Sequence, residues 1–190
     1  MQKTISVKKL GHFIEDVEVK FAPVKTLTGG TKLMPVKVGD GSIIKLFDKT
    51  PYPEKPTDVV CPHFLELKWA NGCRFNCAWC YLQGTFRFRP MKKRPYLKDT
   101  NKTIAHLIAF FNKVKEPYIL NSGELSDSLV FEYNGAALTQ NIAPLFLQQN
   151  THKLLIVTKS ADVKKLLNLP STRNIIVSFS INAKNVAATW

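Results

Sequence analysis

The sequence predicts an α/β chain in which residues 61–190 form about four βα units on a parallel sheet, behind an N-terminal extension, residues 1–60, of unassigned fold. Two observations carry this. From Phe64 onward the apolar period alternates between two and about 3.6, strand then helix, and polar residues stand at the C-terminal end of each expected strand. A third bounds it: 190 residues at 45% hydrophobic suffice for a real core.

Residues 1 to about 60 alternate short apolar runs with GG, GDG, TPYP and EKP breakers, which reads as loops with a few short strands. Phe64–Ala70, FLELKWA, sets Leu65, Leu67 and Trp69 against Glu66 and Lys68, the pattern of a strand with two unlike faces. It runs into a cysteine loop, Gly72–Gly84. TNKTIAHLIAFFNKV then places Ile104, Leu107, Ile108, Phe111 and Val114 at helical spacing, with Thr100 or Asn101 as the expected cap and Pro117 as the stop. Tyr118–Asn121 reads as a short buried strand, SGELSDS as a polar turn, and 137–149 as a helix in which Pro144 blurs a boundary. KLLIVTK (153–159) is a strand, ADVKKLLNL a short amphipathic helix, and NIIVSFSIN (174–182) a strand. Such spacing requires crossover connections, hence parallel pairing.

The formal charge of +13 and pI near 9.7 make a polyanionic partner such as nucleic acid reasonable, although lysines spread over a solvated face would give the same total. The first twenty residues lack a leader-like apolar core and no run reaches the roughly twenty residues a bilayer crossing needs, so no membrane role and a cytoplasmic location are expected. In that setting clustered cysteines point to metal or redox use over disulfides.

Cys73, Cys77 and Cys80 have C-x3-C-x2-C spacing. Three thiolates can hold three irons of a 4Fe-4S cubane and leave the fourth open to another ligand. A closed zinc site recruiting Cys61 or His63 is the competing chemistry, because structural zinc takes four ligands. The following stretch, GTFRFRPMKKRPYLK (84–98), interleaves five Arg and Lys between Phe86, Phe88 and Tyr96, a composition suited to unpaired bases and equally to a solvated connection with buried aromatics.

At these cysteines the sequence resembles the radical S-adenosylmethionine superfamily, whose signature is CxxxCxxC with an aromatic before the last cysteine, here Trp79. CYLQ, NSGELSDS, VTK and SIN narrow the resemblance to the spore photoproduct lyase branch over roughly residues 60–186. It implies that Cys73, Cys77 and Cys80 ligate the cluster and that S-adenosylmethionine chelates the open iron and is cleaved to a 5'-deoxyadenosyl radical. Trp79 would pack near the adenine. Ser122, Gly123 and Glu124 would stand where the methionine amine is met, and Ser126, Lys159, Ser180 and Asn182 would contact the carboxylate or ribose. Tyr81 matches a tyrosine of the hydrogen relay. A reductant such as flavodoxin or ferredoxin and a nucleic-acid substrate follow from the same resemblance.

Two departures stand out. Glu124 occupies the place where dimer-repairing lyases carry a hydrogen-donating cysteine, and a carboxylate cannot replace a thiol in that step. The resemblance also implies a barrel of six βα units, of which four are counted here, so the chain is expected to be the N-terminal portion of such a barrel, completed by further residues or a second chain.

Overall fold

The computed structural model describes residues 17–26, 29–47, 64–75, 77, 80–89, 94–133, 135 and 137–185. In chain order the strands are β1 (Val19–Lys25), β2 (Thr31–Val38), β3 (Ile44–Phe47), β4 (Phe64–Leu67), β5 (Ala70–Asn71), β6 (Tyr96–Leu97), β7 (Ile119–Asn121), β8 (Lys153–Thr158) and β9 (Ile175–Phe179). The helices are α1 (Leu82–Thr85), α2 (Thr100–Lys113), α3 (Leu138–Asn141), α4 (Ala143–Leu147) and α5 (Lys164–Leu167).

Seven strands form one open mixed sheet in the order β1-β2-β3-β4-β7-β8-β9, and β5 and β6 make a separate antiparallel pair. The expected parallel sheet is present: β4, β7, β8 and β9 pair in parallel, with α2, then α3 and α4, then α5 in the connections. The N-terminal strands continue the same sheet by antiparallel pairing of β1, β2, β3 and β4. Their sequence hid this because Pro23 and Pro35 interrupt the strand pattern. Pro23 lies on an edge strand, and the β1–β2 register shifts between Lys20 and Phe21, opposite Pro35, where a ladder donor is missing.

Period-two alternation decides which face is covered. Ile44, Leu46, Leu65, Leu67, Leu120, Leu154 and Ile156 share one face by register, and all are buried. They form a single core with Leu107 and Phe110 of α2, Leu138 of α3, and Ala143 and Phe146 of α4. Each such leucine or isoleucine contributes about 1.5–3 kcal/mol through burial. The opposite face, with Lys45, Ile119, Leu155 and Val157, is less covered.

Two local expectations are corrected. The cap of α2 is Asp99, whose carboxylate accepts from the Lys102 amide at 2.8 Å, one residue before the expected Thr100. The single helix expected over 137–149 is two short ones, because Pro144 can sit only in a first turn and so starts α4. FLELKWA likewise divides between β4 and β5.

Candidate active site

The loops after the parallel strands meet at one cleft of about 120 Å³, open to solvent. Cys73, Cys77 and Cys80 line it from the loop after β5, with Tyr81 at the start of the α1 turn. Gly123, Glu124 and Ser126 line it from the β7 loop, and Lys159 and Ser180 from the ends of β8 and β9. Sequence reasoning named all nine. Ser122 is behind the wall: it is buried, its hydroxyl donates to the Leu155 carbonyl at 2.9 Å, and it meets Ser128 Oγ at 2.8 Å. Asn182 is exposed and outside the lining. Trp79, Cys61 and His63 lie outside the described residues.

The cysteine loop is shaped by backbone bonds. Gly72, at φ 80°, takes a left-handed turn that favours glycine, and its amide donates to the Leu125 carbonyl at 2.8 Å, tying the loop to the β7 loop. The Cys80 amide donates to the Cys77 carbonyl at 3.1 Å, and Gln83 Nε2 donates to the same carbonyl at 2.6 Å. Cys73, Leu82 and Phe86 are buried together, with Phe75, Cys80 and Leu125 packed against them. Burial pushes the Cys73 thiol up, and the backbone amides of Phe75 and Asp127 oppose that shift by donating toward the sulfur.

Asp127 was not singled out from sequence. Its carboxylate accepts from Thr158 Oγ1 at 2.7 Å, the Lys159 amide at 2.7 Å and the Leu129 amide at 2.9 Å, so it joins the β7 loop to the end of β8. The available signal was its place beside Ser126 in SGELSDS, matched by a hydroxyl at the next strand end in VTK. Gly123 allows those ends to approach: a Cβ there would sit 2.6 Å from Val157 Cβ and 3.1 Å from the Val157 carbonyl. Lys159 Nζ donates to the Ser180 carbonyl at 3.2 Å, linking β8 to β9 across the rim.

Tyr81 donates to Glu124, to the carboxylate Oε1 at 2.8 Å and to the backbone carbonyl. Desolvation and the Glu124 carboxylate together hold the phenol well above its usual range, so it remains protonated. Among the described residues, no three His, Cys, Asp or Glu side chains converge as a single metal ion would require. No helix among them is long and apolar enough to cross a membrane.

Fold and site together define an α/β protein with parallel strands whose ends carry a thiol-lined cleft. The chain belongs to the spore photoproduct lyase family, whose model, "Spore photoproduct lyase", matches residues 63–190. Among solved structures, a spore photoproduct lyase complexed with dinucleoside spore photoproduct is 23% identical, with a TM-score of 0.57 over 65% of this chain and 36% of that one. A double mutant of the lyase with bound AdoMet and dinucleoside spore photoproduct gives 23% identity and a TM-score of 0.56 over 66% and 36%. The likeness is one of fold, and this chain spans 36% of those lyases. No curated protein matches the chain.

Proposed function

We propose that the chain is the cofactor-binding part of a radical S-adenosylmethionine enzyme acting on nucleic acid. The observation that carries this is the meeting of three free thiols, a lysine and a hydroxyl-rich rim in one cleft at the ends of parallel strands. The donor set fits a cluster: a cubane takes one thiolate on each of three irons and leaves the fourth open to another ligand, whereas a structural zinc site closes with four ligands.

In this reading Cys73, Cys77 and Cys80 hold a 4Fe-4S cluster. When bound, cluster and S-adenosylmethionine supply reductive cleavage to a 5'-deoxyadenosyl radical. The chain's own residues bind and orient. Lys159 is the cation for the methionine carboxylate, Ser126 and Ser180 offer hydroxyl partners to carboxylate or ribose, and Trp79 is the aromatic for the adenine; Asn182, outside the lining, is left without a role. Gly123 keeps the wall at this point free of side-chain bulk, with Glu124 beside it for the methionine amine; Ser122 acts from behind as a brace. Leu82, Phe75 and Val157 form the apolar part of the lining. Tyr81 keeps its proton on the phenol oxygen, aimed at Glu124.

Nucleic acid as the substrate class rests on the +13 charge and on the family, for which three solved lyase structures hold dinucleoside spore photoproduct. Glu124 in place of a thiol donor argues that the substrate differs from the thymine photoproduct or that hydrogen returns by another route. In the same reading the parallel strands are four units of a six-unit barrel, residues 1–60 form an extension to it, and a flavodoxin or ferredoxin reduces it.

The test is anaerobic reconstitution with iron and sulfide, reduction with dithionite in the presence of S-adenosylmethionine, and chromatography for 5'-deoxyadenosine. The expected result is formation by the wild type and none by Cys77→Ala. A protein that takes up zinc and no iron refutes the reading. A cluster-loaded protein that makes no 5'-deoxyadenosine favours instead an inactive fragment that holds the cofactor without the rest of the catalytic machinery, or a non-catalytic, metal-stabilised nucleic-acid-binding module.

A further inference from the structure

We propose that Arg87 and Phe88 form a stacking platform for an unpaired base of a single-stranded or locally opened nucleic acid, beside the thiol cleft. The inference deepens the nucleic-acid reading above and rests on it. The segment after the last cysteine is fixed at one point: Phe86 is 1% exposed and packs with Cys73 and Leu82. Two residues on, Phe88 is 83% exposed, and the Arg87 guanidinium lies over its ring at 4.4 Å. An aromatic ring held outward at that exposure, with a cation already stacked on it, offers a π face and a charge at one spot.

The neighbouring pair is used differently. Arg89 lies over the buried Phe86 ring at 4.4 Å and donates to Tyr96 Oη at 3.3 Å, which also accepts from Asn71 Nδ2 at 2.7 Å. Arg89 therefore staples the segment to the β5–β6 ribbon, while Arg87 and Phe88 face solvent. The staple matters because a rigid platform loses less entropy on binding than a floppy loop.

Charge selects the partner. Residues 83–98 contain no Asp or Glu, and the stretch carries Arg87, Arg89, Arg94 and Lys98 among its cations. An apolar partner finds no complement in this field, and an acidic peptide finds the charge but little to stack on Phe88. A nucleic acid strand supplies both phosphate and exposed base faces.

The experiment uses the full chain without iron, so its outcome is independent of cluster chemistry. Fluorescence anisotropy follows binding of a labelled oligothymidylate across a salt series, for wild type, Phe88→Ala, Arg87→Ala and a control that removes an exposed cation on β1, Lys20→Ala. The expected result is about tenfold weaker binding for Phe88→Ala at unchanged salt slope. Arg87→Ala should weaken binding and lower the slope by about one, and Lys20→Ala should leave affinity within about twofold. Equal affinities for Phe88→Ala and wild type overturn the platform and leave the nucleic-acid reading standing. Absence of wild-type binding removes nucleic acid as the partner altogether, and polyglutamate competing as well as oligothymidylate, with Phe88→Ala silent, reduces the patch to nonspecific charge.

Discussion

At the scale of single residues, the site depends on a few positions whose chemistry leaves little freedom. Gly123 has the firmest requirement, since a methyl group there collides with Val157 at 2.6 Å. Gly123→Ala should destabilise the chain by about 1–3 kcal/mol through overpacking, measured by urea unfolding, and should spread the β7 and β8 ends that carry Glu124 and Lys159. The cysteines, Tyr81, Glu124 and Lys159 were legible in the sequence because reactive side chains in short motifs advertise themselves. Asp127 was less so: its three hydrogen bonds come from the backbone and a hydroxyl of residues some thirty positions away or two positions on, which no local pattern reveals. Ser122 misled in the opposite direction, for a serine in a functional-looking motif turns inward to clasp its neighbouring strand.

At the scale of elements, the parallel strands were legible because each carries an uninterrupted apolar alternation, and the helix boundaries were less so because caps and prolines act through single bonds. Asp99→Ala should cost about 1 kcal/mol, read from thermal or urea unfolding, because it leaves the Lys102 amide without its acceptor at the start of α2. The far end of α2 packs on His152, which lies against Phe110 and Phe111, accepts from the Tyr118 amide on Nδ1 and so donates from Nε2 to the Val114 carbonyl. Burial holds His152 below the usual histidine value of 6.5, as it does His106, so both are neutral in the fold. The unfolded chain then binds more protons than the folded one below that value. Their contribution is complete above pH 6.5 and is lost as pH falls through the lowered folded-state values, so the unfolding midpoint should drop between about pH 7 and about pH 5, followed by circular dichroism. A midpoint that rises over that interval would contradict the assignment of neutral rings.

At the scale of the whole molecule, the sequence pattern carried the class of fold and most of the residues that line the cleft, while the place of residues 19–47 in the same sheet required the structure. Antiparallel addition of strands to β4 depends on long-range pairing, and the prolines in β1 and β2 conceal the local signal. The sheet ends at β9, which pairs with β8 alone among the described strands. Val177 and Phe179 are 37% and 51% exposed beside Leu167 of α5, along an apolar groove. An open parallel edge of that kind is prone to pairing with another chain. Light scattering should therefore detect concentration-dependent association that Phe179→Lys reduces, with no loss of circular-dichroism signal.

The central claim is that Cys73, Cys77 and Cys80 hold a 4Fe-4S cluster with one iron open to S-adenosylmethionine. Electron paramagnetic resonance of the anaerobically reconstituted, dithionite-reduced chain, with and without S-adenosylmethionine, tests it most directly because neither turnover nor substrate is needed. The account predicts a reduced-cluster signal whose shape changes when S-adenosylmethionine is added and which is absent from Cys77→Ala. A signal indifferent to S-adenosylmethionine, or a protein that binds zinc in place of iron, would contradict it.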